Sequence, residues 1–79
     1  SRAPNDPDAM LALAEIYIQR QDWDSAIRTS AWGVTRWPAS PHFYRKRAAV
    51  YAATGQDHLA SQDNAEAERL QRESGPNAQ

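Results

Sequence analysis

The chain repeats itself. Residues 7–40 lie over residues 41–74 at an offset of 34 without a gap: Asp6-Pro7 meets Ser40-Pro41, Ala14 meets Ala48, and Tyr17 meets Tyr51. Further along, Ala26 meets Ala60, Ala31 meets Ala65 and Gly33 meets Ala67. Small residues fall on small ones and tyrosine on tyrosine, so the two halves must place their close contacts alike. A unit of this length cannot bury its apolar face alone and has to stack on a neighbour.

Each half reads as two helices joined by a tight turn. Asp6 supplies a side-chain oxygen for the orphan N–H groups of a first turn, and Pro7 behind it lacks the N–H that would go unpaired. A helix is predicted from Pro7 to about Arg20. Met10, Leu13, Ala14 and Tyr17 recur at i, i+3, i+4, i+7 along one face, with Leu11 and Ile18 on a second apolar strip beside it. Asp22 caps the next helix, Trp23 to Arg36, whose Trp23, Ile27, Ala31 and Val34 keep helical spacing until Trp37-Pro38 ends it. Gly33 costs about 1 kcal/mol against alanine inside a helix, so a close helix contact is expected there. Ser40-Pro41 repeats the starting signal for a helix to about Thr54, with Tyr44, Ala48 and Tyr51 on one side. Gly55 suits the left-handed residue that closes many helices. A last, more polar helix runs from Asp57 to the stop at Gly75-Pro76. The expected organisation is a disordered lead-in over 1–6, units over 7–40 and 41–74, and a disordered tail over 75–79.

This pattern of paired helices, small contact residues and a closing Trp37-Pro38 resembles the tetratricopeptide repeat. The resemblance covers Pro7 to Ser74 as two repeats. It implies an all-α fold of four antiparallel helices in a right-handed solenoid fragment. Three positions depart from the family pattern. Gln21 replaces the inter-helix glycine that Gly55 provides, Ser30 and Asn64 stand where a large apolar residue is usual, and Arg47 stands where Leu13 does. An arginine inside a hairpin needs a partner, for which Asp63 and Glu66 are the candidates. The expectation is that the second repeat is a solvated terminal one, with Arg47 at a wet edge.

The family's first helices line a concave groove that receives a segment of another protein. Carried over, that lining is Asp8, Leu11, Glu15, Ile18 and Gln19 from the first helix, and His42, Arg45, Ala49, Ala52 and Ala53 from the third. The residues expected to touch a partner peptide are Leu11, Glu15, Ile18, Gln19, Arg45, Ala49 and Ala52. The other reading of Leu11 and Ile18 is packing on a further repeat or on their own neighbour. The positions of the asparagines that clamp a partner's terminal carboxylate in some family members fall on Glu15 and Lys46, so that clamp is not expected. Trp32, between Arg28 and Arg36, is either a convex-face anchor for a partner or for self-association, or a ring packed along the arginine stems.

Other functions find little footing. With a net charge of −1, the chain has no overall bias towards nucleic acid. Arg45-Lys46-Arg47 fan out by about 100° each on a helix and cannot form one phosphate site. Acids gather in Asp6 to Asp24 and Asp57 to Glu73 around a basic middle, which points weakly to an acidic partner segment. No cysteine is present, and neither His42 nor His58 has a ligand-spaced His, Asp or Glu at i+3 or i+4 on its own helix, so no metal, cofactor or catalytic residue is expected. No apolar run approaches the roughly 20 residues that cross a bilayer. The expected function is non-enzymatic binding of another protein. The alternative is a structural or oligomerisation segment of a longer repeat scaffold.

Overall fold

A computed structural model of the chain describes residues 5–74, and these are all-α. Four helices follow one another: α1 (Pro7–Gln19), α2 (Trp23–Arg36), α3 (Pro41–Ala53) and α4 (Asp57–Ser74). Their ends lie where the capping residues place them. Asp6 Oδ1 accepts from the Asp8 N–H at 3.0 Å, and Asp22 Oδ1 from the Ser25 N–H at 3.3 Å. Ser40 Oγ accepts from the His42 N–H at 3.4 Å. The expected lead-in over 1–6 falls partly outside the described residues, and the tail over 75–79 wholly so. Within the lead-in, Asn5 Oδ1 accepts from Arg36 Nη2 at 2.6 Å.

The turns within the two hairpins, α1–α2 and α3–α4, close in the same way. The Asp22 N–H reaches Tyr17 O at 2.9 Å, and the Gln21 N–H reaches Ile18 O at 2.9 Å. In the second turn the Gln56 N–H bonds Tyr51 O at 2.7 Å, and the Gly55 N–H bonds Ala52 O at 3.2 Å. This six-to-one, five-to-two pairing needs a left-handed residue just past the helix. Gly55 takes it at φ 82°, and Gln21 takes it at φ 58° without being a glycine.

The helices pack in a chain of neighbours, α1 on α2, α2 on α3 and α3 on α4, with α3 also reaching α1. Among the described residues, α4 meets only α3. The core is built mostly of small residues, with Ala14, Ala26, Ala48, Ala60 and Ala67 all buried, so the helix backbones come close. Met10, Val50 and Phe43 are its larger members; Phe43 is fully buried, and its ring lies on Gly33 of α2. Trp37 stacks on Phe43 with centroids 5.3 Å apart and planes 14° from parallel. Trp32 then meets Trp37 edge-on at 5.5 Å. The junction between the two hairpins is thus an aromatic run closed over a glycine, worth more than area burial alone. Ser30, fully buried where an apolar residue was expected, donates its hydroxyl to Ala26 O at 2.8 Å and leaves no unpaired group.

Arg47 is not at a wet edge. Its Nε and Nη2 donate to Asp63 Oδ2 and Oδ1 at 2.8 and 3.0 Å, with the side chains only 22% and 10% exposed. The Tyr44 and Tyr51 rings stand 5.7 and 5.8 Å from the guanidinium carbon. A planar fork that matches a carboxylate in two bonds is what makes a charge tolerable inside a hairpin. Glu66, the other candidate, pairs with Arg69 on its own helix.

Candidate partner-binding groove

The groove forms because α1 and α3 run side by side and present matching strips. Leu11, Glu15 and Ile18 of α1 lie at i, i+4 and i+7; His42, Arg45, Lys46 and Ala49 of α3 lie at i, i+3, i+4 and i+7. With Ala12, these residues line a depression of about 670 Å³. Leu11 and Ile18 are half-buried, so their apolar surface is only partly used within the chain.

Of the residues expected to meet a partner, Leu11, Glu15, Ile18, Arg45 and Ala49 come together on this wall. Gln19 and Ala52 do not line it; both are exposed. Gln19 acts on the groove indirectly, its Nε2 donating to Glu15 Oε2 at 3.2 Å. Asp8 and Ala53 also lie off the wall, whereas His42 is on it. Ala12 and Lys46 were missed as lining residues. Lys46 had a usable signal, since it falls four residues after His42 and three before Ala49 on the same strip.

Lys46 also changes the character of the site. Its Nζ donates to Glu15 Oε1 at 2.7 Å, tying α3 to α1 across the groove. Glu15 lies between Leu11 and Ile18 on the strip, so the ion pair sets a charged crossing within the apolar lining. The Lys46 hydrogen bond, then that from Gln19, holds the Glu15 carboxyl below its ordinary pKa. Arg45 donates to Gln71 of α4 at the groove rim. The three consecutive cations therefore reach three different partners: Arg45 to Gln71, Lys46 to Glu15 and Arg47 to Asp63.

Trp32 is not part of the groove wall, and 38% of it is exposed. The arginines that flank it in sequence are engaged elsewhere. Arg28 pairs with Asp24 at 3.1 Å, and Arg36 bonds Asn5 and lies 5.6 Å from the Trp37 ring centre. No helix among the described residues is long and apolar enough to cross a membrane. Comparison with family models, curated proteins and solved structures gives no match to this chain.

Proposed function

We propose that this chain is a tetratricopeptide-like, non-enzymatic module that binds an extended or helical segment of another protein in the groove between α1 and α3. The observation that carries this reading is the wall itself: half-buried Leu11 and Ile18 share it with small Ala12 and Ala49, and its polar members are the Glu15–Lys46 ion pair, His42 and Arg45. Such a lining accepts apolar side chains of a ligand along Leu11 and Ile18, while Arg45 favours an acid nearby. Two hairpins offer limited area, so the affinity belongs in the micromolar range, about −8 kcal/mol.

A random peptide library selected on the intact protein tests the reading. Enriched peptides should shift the amide signals of Leu11, Ile18 and Ala49 and lose binding to Ile18→Lys. Arg45→Glu should weaken acidic peptides most at low salt. Signal changes confined to α2 and α4 around Trp32 would move the working surface to the convex side. The second reading, a structural or oligomerisation segment of a longer right-handed repeat scaffold, is favoured by one observation: Ile16 of α1 is 45% exposed and belongs to neither core nor groove.

A further inference from the structure

The second hairpin is a template for what the first one lacks. At the offset of 34, Ile16 corresponds to Val50 and Ala9 to Phe43. On α3 those positions are covered by α2: Phe43 lies on Gly33, and Val50 shares a small cleft with Trp23 and Ile27. Val50 is accordingly 2% exposed and Phe43 fully buried, whereas Ile16 is 45% exposed and Ala9 and Ala12 are also exposed. The first helix therefore carries exposed Ala9 and Ile16 at the places where the third helix receives α2, with exposed Ala12 on the turn between them.

The far end of another copy offers this strip no apolar match at the equivalent positions. On α4 the counterparts of Ile27, Val34 and Trp37 are Ser61, Glu68 and Gln71, all exposed and polar. The strip is, however, complementary to itself. It holds one large residue and two small ones on successive turns, so a helix laid antiparallel to it seats Ile16 against the partner's Ala9, and the reverse. That is the reciprocal contact of a two-fold interface. The same alignment brings exposed Arg20 beside the partner's Asp6 at each end and opposes the two helix dipoles. Arg20 makes no ion pair among the described residues.

We propose that the Ala9–Ala12–Ile16 face of α1 is a self-association surface that binds α1 of a second copy of this chain in antiparallel fashion. One helix pair buries less than a standard interface of roughly 1,200–2,000 Å², so the dimer is weak and forms at high concentration. Ala12 borders the groove, but Ala9 and Ile16 lie outside it, so association read at Ala9 and Ile16 stands whether or not the groove binds a peptide.

Sedimentation equilibrium of the intact chain from about 10 µM to about 1 mM reads the dimer directly. The parent should associate, with Ala9, Ala12 and Ile16 amides shifting on dilution. Ile16→Lys should stay monomeric with unchanged helix content. Ala9→Glu, in an exposed first turn where an acid suits the helix, should do the same. Arg20→Glu should weaken association about tenfold at low ionic strength, and Ile18→Lys should leave it intact. A parent monomeric throughout would overturn the proposal and leave this face to a helix of another polypeptide segment. Association of Ile16→Lys as strong as the parent's, or dilution shifts centred on Trp32, would also overturn it.

Discussion

The Phe43 ring occupies the place where a side chain on Gly33 would have to be. A Cβ built on Gly33 would fall 2.1 Å from Phe43 Cδ1 and 2.3 Å from Cε1, far inside any real contact. Phe43 is fully buried beneath Trp37 and cannot swing away. This one relationship sets how closely α2 and α3 approach, and so how the two hairpins meet.

Gly33→Ala should therefore destabilise, although alanine is the better helix former by about 1 kcal/mol. Overpacking a core typically costs about 1–3 kcal/mol, and a contact this short belongs at the upper end, for a net loss of about 2 kcal/mol. Combining it with Phe43→Leu should recover part of that loss, a coupling that marks direct contact. Urea denaturation of the two single variants and the double one gives the answer; simple additivity would contradict the account.

Arg47 and Asp63 should behave as a unit. Removing one partner of a buried pair commonly costs about 3–5 kcal/mol; with Arg47 still 22% exposed, Asp63→Ala should cost about 2–3 kcal/mol. In the first hairpin the equivalent positions are Leu13 and Thr29, both half-buried. Copying them as Arg47→Leu with Asp63→Thr should come within about 1 kcal/mol of the parent, because no charge is left stranded. A double variant as unstable as Asp63→Ala alone would show that the pair itself carries the stability.

Gln21 takes a left-handed conformation that costs an ordinary residue about 1–2 kcal/mol. Gln21→Gly removes that cost and adds chain entropy to the unfolded state, for a net gain of about 0.5–1 kcal/mol. Gly55→Ala should lose about 1 kcal/mol; nothing lies within 4 Å of the added Cβ, so the loss is purely conformational. Thermal melts of both variants should move in opposite directions.

Acid should weaken the fold. Hydrogen bonds from Lys46 to Glu15 and from Arg69 to Glu66 lower both carboxyl pKa values from 4.5. A lowered folded value means the stabilisation is fully present above the unfolded pKa and is lost as pH falls through the folded one. The melting temperature should thus be level between about pH 7 and about pH 5 and fall below 4.5, modestly, because both groups are at the surface. Lys46→Met should flatten the part of that fall due to Glu15. A melting temperature that rises on acidification would contradict the assignment.

The helix boundaries were legible because their signals are local. Asp6-Pro7, Asp22, Ser40-Pro41 and Trp37-Pro38 act on backbone groups within one turn, so each can be read without knowing what the helix packs against. Gly33 was legible as a close approach for the same reason: glycine in mid-helix is costly unless something needs the space. What filled that space was not legible. Phe43, alone among the large side chains of the described residues fully enclosed, belongs to no strip marked out by sequence spacing, because its burial depends on α2 crossing α3 at Gly33.

The groove divides along the same line. Helical periodicity by itself placed Leu11, Glu15 and Ile18 on one strip, since residues on one helix share a face whatever surrounds them, whereas Arg45 and Ala49 were expected opposite them only through the family resemblance. Only the tertiary structure decided that Lys46 would reach Glu15, 31 residues away, and that Arg47 would reach Asp63, 16 residues away. Pairing between charges on different helices depends on how far apart the axes lie and how each helix is rotated. Those quantities come from packing small residues against one another across the whole core, and no local stretch of the chain contains them.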